Sequence, residues 1–252
     1  MTDPVSPPAL PPARQLPAGA CLAWLAHGWQ LFLRDPARWA IIALLFVLIL
    51  AALGLVPLVG WAISLVGLPV LSAGLLTVAD DTAAGRPVRI DGLFDGLRRN
   101  AGQHVMLGIC YLVGGLLTAF VAAAIGSSAA LTGALIGPLA AAGLTVGGVM
   151  LASIVFMALW LGLMMALWYA PALIVFHQAE PLAALRHSAM ACLRNLPAFF
   201  VLALCLYVLA WLALLPAGLG MLVLVPVVAG AQHAAWRDTF GERPELPPAG
   251  SL

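Results

Sequence analysis

Long apolar runs alternate along this chain with short stretches in which polar residues recur at helical spacing. A helix that crosses a bilayer needs about 20 apolar residues. Runs of that kind occupy residues 38–56, 59–79, 104–125, 197–215 and 217–235, and a further one ends at His177. Three amphipathic stretches, 20–34, 88–99 and 180–194, stand before apolar runs. Each closes on an arginine followed by Asp or Asn: Arg34-Asp35, Arg99-Asn100 and Arg194-Asn195. In the first, Leu22, Leu25, Trp29 and Phe32 share a helical face; in the last, Leu182, Leu185, Ala189 and Leu193 do so. Such segments are expected to lie in the membrane interface as short helices. Asp35, Asn100 and Asn195 suit the N-cap of the span that follows, and Pro36 suits its first helical position.

The pattern predicts an all-α polytopic helix bundle with six transmembrane helices. They form three repeated units, 20–81, 88–178 and 180–238, each an interfacial amphipathic helix plus a transmembrane hairpin. Pro57 and Pro216 end the first spans of the outer units. Pro69, Pro171 and Pro226 fall within the second spans, where a ring without an N–H kinks a helix. The uncharged run from Val105 to Phe176 is too long for two spans alone. Its excess, an Ala/Gly-rich insert over 127–146, is expected to form a re-entrant or external helical excursion. Gly133, Gly137, Gly143 and Gly147 give it small-xxx-small steps that permit close helix contact. Residues 18–238 thus read as one membrane domain, preceded by a Pro-rich disordered arm over 1–17 and followed by a tail over 239–252.

Charge sets the orientation. Arg34, Asp35 and Arg38 precede the first span; Asp80 to Arg99 hold the next group; Glu180, Arg186 and Arg194 precede the fifth span; Arg237 and Asp238 follow the last. The turns at Pro57 and Pro216 carry no charge, so every formal charge falls on one side, which the retention of basic residues marks as cytoplasmic. Both termini are expected there. Composition agrees: 63% of residues are hydrophobic and 8% charged, against about 25% charged in soluble domains. A net charge of +1 offers no surface for nucleic acid. Cys21, Cys110, Cys192 and Cys205 lack metal spacing and read as free thiols.

Chemistry is sparse. No charged residue falls inside a span, which argues against an ion-coupled pump. The Arg-Asx steps serve the chain by ending one helix and capping the next, or Arg34, Arg99 and Arg194 form a shared site for an anionic lipid or phosphate. His27 and His187 occupy matching places ahead of Arg34 and Arg194. Asp80, Asp81, His177, Glu180, His233 and Asp238 cluster near the expected cytoplasmic ends as a candidate polar ring. Trp24, Trp39, Trp61, Trp168 and Trp236 read as interfacial anchors. No catalytic constellation, metal site or cofactor motif is present in the sequence.

The stretch Tyr169-Ala170-Pro171-Ala172-Leu173-Ile174-Val175-Phe176-His177, followed by Pro181 to Ser188 and Cys192-Leu193-Arg194-Asn195, resembles a family of six-span bacterial inner-membrane proteins of unknown function. That family is in turn distantly similar to the membrane domain of some glycerophosphodiester phosphodiesterases. The segment from Trp24 to Trp39 and the ending through Pro226 to Phe240 fit the same pattern, so the resemblance spans most of residues 20–240. It implies no catalytic residues. The sequence favours a non-catalytic membrane protein that binds lipid, a membrane-protein partner or a second copy of itself. The alternatives are a facilitative transporter or channel for a neutral or amphiphilic solute, its route lined by Pro69, Pro171 and Pro226, and a lipid-headgroup enzyme using Asp80, Asp81, His177 and Glu180.

Overall fold

The structure, a computed structural model, describes residues 10–241. The start of the Pro-rich arm and the tail beyond Gly241 lie outside the described residues, among which there is no strand. The helices are α1 (Ala20–Arg34), α2 (Pro36–Gly54), α3 (Val59–Ala83), α4 (Asp95–Arg98), α5 (Ala101–Ile136), α6 (Pro138–Trp168), α7 (Ala170–His177), α8 (Pro181–Arg194), α9 (Leu196–Leu214) and α10 (Met221–Phe240). Breaks fall at all three Arg-Asx steps. Prolines stand at the first or second position of α2, α6, α7, α8 and α9, where a missing N–H costs nothing.

Among the described residues, five helical stretches are long and apolar enough to cross a membrane: Pro36–Gly54, Val59–Ala83, Ala101–Ile136, Ala142–His177 and Leu196–Leu214. The sixth expected span, 217–235, is not among them. Residues 215–220 are turn, so α10 starts at Met221, and its second half carries Gln232, His233, Arg237 and Asp238.

The chain forms two compact units. The first holds the residues up to Leu45, Leu75–Leu93 and the chain from Met190; the second holds Phe46–Gly74 and Phe94–Ala189. In the first unit α1 runs antiparallel along α10, with Trp24 against Asp238 at one end and Leu31 against Gly230 toward the other. Their backbones touch at Gly28, where an added Cβ would overlap the Val227 carbonyl and come within 2.9 Å of the Ala231 nitrogen. This contact selects which face of α1 is buried. Cys21, Trp24, Gly28, Leu31 and Phe32 are covered, while Leu22 and Trp29 of the expected apolar face stay exposed. A helix apolar on most sides is placed by its smallest residue.

Part of the arm expected to be disordered is held in this unit. The Arg14 N–H donates to the Thr239 carbonyl at 3.0 Å, and the Arg14 guanidinium donates to the carbonyl of Gly241. Asn195 fastens the same segment. Its Oδ1 accepts from the Leu16 N–H at 2.7 Å, and its Nδ2 donates to the carbonyls of Arg14 at 2.8 Å and Ala191 at 3.0 Å. Asn195 is therefore a staple rather than the expected side-chain cap of α9. Asn100 does not cap with its side chain either: it sits at φ 54°, a region Asn tolerates, and uses its backbone carbonyl. Asp35 does cap, accepting from the Arg38 N–H at 3.2 Å.

The second unit is built on the α5–α6 hairpin. At about 1.5 Å per residue, the 36 residues of α5 span about 54 Å, well beyond a hydrocarbon core of about 30 Å. The 127–146 region is the far end of this hairpin. Both helices continue through it to a turn at Gly137, whose φ of 133° suits glycine. Of the small residues, Gly148 meets Ala129 and Gly114 meets Leu163, whereas Gly143 and Gly147 face open space.

The stretch 88–99 is a 3-10 turn over Ile90–Phe94 followed by the single turn α4, not one amphipathic helix. Pro69 and Pro226 lie inside unbroken helices, and only Pro171 adjoins a break. There the Ser188 hydroxyl enters the backbone ladder, accepting from the Tyr169 N–H at 2.9 Å and donating to the Met165 carbonyl at 2.7 Å. Side-chain insertion of this kind bends helices. Ser188→Ala removes both bonds from a buried site, with an expected loss of about 1–3 kcal/mol. Thermal unfolding in detergent measures it, and an unchanged midpoint would show that Tyr169 re-pairs with Met165.

Candidate functional site

A polar cluster in the first unit lies where α1, α3 and α10 meet. His233 is fully buried, placed by α10 packing its small residues Gly230, Ala231 and Ala235 inward. Its Nε2 lies 3.2 Å from Asp80 Oδ1, near the end of α3. On its other flank the His27 ring stacks at a centroid distance of 6.3 Å and an interplanar angle of 23°. The His27 Nε2 is buried with no hydrogen-bond partner among the described residues. Burial, and then the charges of His233, Arg237 and Arg34, hold the His27 imidazole below its ordinary value, with Asp238 opposing.

Neighbouring charges are committed to structure. The Trp24 indole N–H donates to Asp238 at 2.7 Å, and Trp24 is buried, so it is not an interfacial anchor; Trp39 is buried as well. Arg86 bridges Asp81 at 2.7 Å and Asp80 at 3.2 Å, and Arg89 reaches Asp81 at 3.6 Å. Arg34 donates to the carbonyls of Thr82 and Ala83, closing the C-terminus of α3 where a cation is favoured.

The candidates separate accordingly. Asp80 and His233 meet in the first unit, which also holds Asp81, joined to Asp80 through Arg86, and Asp238, bonded to Trp24, whereas His177 and Glu180 belong to the second. The six residues thus do not close a ring within either unit. Among the described residues, no group of three or more His, Cys, Asp or Glu is placed to hold a metal ion. Among the described residues no cysteine forms a disulfide. Pro69, Pro171 and Pro226 are buried in packing within their own units, and none lines an open surface.

The three arginines differ in what they touch. Arg34 is engaged as described, while Arg99 and Arg194 are exposed and make no side-chain ion pair or hydrogen bond among the described residues. Arg186 is likewise exposed and unpaired among them. It shares one face of α8 with exposed Leu182, Met190 and Leu193. That mixed face was not evident from the apolar stripe, because Leu185 and Ala189 turn partly inward.

Two of the buried polar residues that the sequence did not single out bond to backbone groups. His104 is fully buried, its Nδ1 3.1 Å from the Asn100 carbonyl and its ring near the backbone of Pro171. Ser188, at the helix break, is the other. Neither carries a spacing signal, since each partner is distant or on the backbone.

Helices long enough to span a bilayer, surfaced with apolar side chains and trimmed with arginine at their ends, define an all-helical membrane protein. The chain belongs to the family described as Domain of unknown function (DUF7847), which it matches over residues 23–241. It is 29% identical over 220 residues to a probable inner membrane protein of Burkholderia thailandensis, covering 84% of this chain and 79% of that one. No solved structure matches.

Proposed function

We propose that this is a non-catalytic inner-membrane protein that contacts anionic lipid headgroups through Arg99, Arg186 and Arg194. In this reading α10 is the sixth span, the chain is three repeated units, and both termini are cytoplasmic. The observation that carries it is the exposed face of α8. There an unpaired arginine stands among exposed Leu182, Met190 and Leu193, a pairing of charge and apolar surface suited to the boundary between acyl chains and headgroups. The name of the Burkholderia relative supports the location. The hairpin turns support the repeat: Pro57 and Pro216 are each followed by a residue at positive φ, Leu58 at 62° and Ala217 at 53°. Gly60 and Gly220 then press on Leu53 and Ala213, leaving no room for a Cβ.

Native mass spectrometry in mixtures of phosphatidylglycerol and phosphatidylethanolamine tests this. Each basic residue near a charged surface contributes about 1 kcal/mol. Arg99→Gln, Arg186→Gln and Arg194→Gln should each lower the preference for the anionic lipid about fivefold, while Arg34→Gln leaves it unchanged. Equal preference across the set would sink the reading. Topology is tested separately. A cysteine placed at Ala217 should react with an impermeant thiol reagent in intact cells, and one at Ala84 only after lysis.

A further inference from the structure

We propose that His27, set against the His233–Asp80 pair, forms a proton-operated latch that fastens α1 to α10 at neutral pH and releases α1 in acid. This is independent of the lipid reading. A protonated imidazole donates from both nitrogens, and the added proton on His27 would find no acceptor at its buried Nε2 among the described residues. Burying a donor without a partner is costly, and burying a charge more so.

The surroundings give that charge little compensation. On α10, His233 stacks directly on His27, and its Nε2 is directed at Asp80. Arg237, also on α10, and Arg34, on α1 itself, add positive charge. Asp238 is the carboxylate that favours a charged His27, and it already accepts from Trp24. On α3, Asp80 is shared between His233 and Arg86, and Asp81 between Arg86 and Arg89. From α9, Phe199 packs on Trp24 with an apolar ring.

Small adjustments are closed off. Gly28 and Gly230 meet backbone to backbone, with a Cβ on Gly230 only 2.6 Å from the Gly28 Cα. Such an interface is bistable rather than compliant, so relief requires α1 to leave as a unit. The latched state holds fewer protons than the released one. Its advantage is therefore complete above the ordinary histidine value of 6.5 and is lost as the pH falls from there toward the lower latched value. One proton limits the change to about tenfold per pH unit, so the opening equilibrium rises by at most about 30-fold between pH 7.5 and 5.0.

Hydrogen exchange followed by mass spectrometry tests this on the full chain in phosphatidylglycerol–phosphatidylethanolamine nanodiscs, with rates corrected for intrinsic pH dependence. Protection over residues 20–34 should fall about tenfold or more, reversibly, between pH 7.5 and 5.0, while α5 and α6 stay unchanged. His27→Gln should hold its pH 7.5 protection at pH 5.0, and His187→Gln should behave like the wild type. Where the glutamine variant is not monodisperse, His27→Phe keeps a ring against His233 without a titrating nitrogen and serves the same comparison. Equal wild-type protection at both pH values overturns the proposal. So does an undiminished loss of protection in the His27 variant.

Discussion

Gly28→Val is expected to separate α1 from α10 and to destabilise the protein by about 3 kcal/mol or more. The added Cβ would occupy the position of the Val227 carbonyl and press on the Ala231 nitrogen, both backbone atoms that cannot swing aside. The two branches of valine widen the gap further, and the burial of Cys21, Trp24 and Leu31 depends on the same close approach. For a chain of this size such a loss lowers the thermal midpoint by about 6–12 °C. Fluorescence-monitored unfolding in detergent reads it directly. Gly102→Ala, at a helical glycine with open space around it, should cost nothing and gain up to about 1 kcal/mol in helix propensity. A midpoint unchanged by Gly28→Val would mean that α1 does not depend on this crossing.

Asn195→Leu has the second-largest expected effect. Leucine keeps the branch at Cγ but is bulkier than asparagine, and it loses three hydrogen bonds in one step, to Leu16, Arg14 and Ala191. At about 0.5–1.5 kcal/mol net for each bond, with a further cost for any group left buried and unpaired, the loss is about 2–4 kcal/mol. Its readout is local. Arg14 is a trypsin site held by Thr239, Gly241 and Asn195, so cleavage after it should be at least about tenfold faster in the variant, tracking the opening of that segment. Asn195→Asp keeps the acceptor for Leu16 but turns a carboxylate toward two carbonyls, and should cleave at least as fast as wild type. Equal cleavage rates in wild type and leucine variant would show that the segment is held by other contacts.

The elements were largely legible in the sequence because their boundaries are local chemistry. Arg34 ends α1, Arg98 ends α4 and Arg194 ends α8, and the next helix begins within a few residues each time. Capping was legible only at Asp35, whose partner is three residues away. Asn195 has the same residue type in the same pattern, yet its partners Leu16 and Arg14 lie near the other end of the chain, and no periodicity reports that. The buried face of α1 was hidden for a related reason. Leu22 and Trp29 outweigh Gly28 in hydrophobicity, but Gly28 alone lets two backbones touch. The polar cluster was half visible. Asp80 and His233 were expected at neighbouring helix ends, whereas the stacking of His27 on His233 depends on the rotation of α1, which follows from that crossing.

The pairing of the first helix with the last also sets the order in which this chain can be completed. Trp24 and Asp238 are 214 residues apart, and Arg14 and Gly241 are 227 apart. At about 5–20 residues per second, a ribosome needs roughly 10–40 s to make α10 after α1 has emerged. Through that interval Cys21, Trp24 and Leu31 lack their partner on α10, and the face of α1 that α10 covers stays open. Closing so long a loop comes late and slowly. A chain that stops before Met221 is left with α1 unmatched and its hydrophobic surface uncovered, which is the surface that quality-control proteases and chaperones recognise.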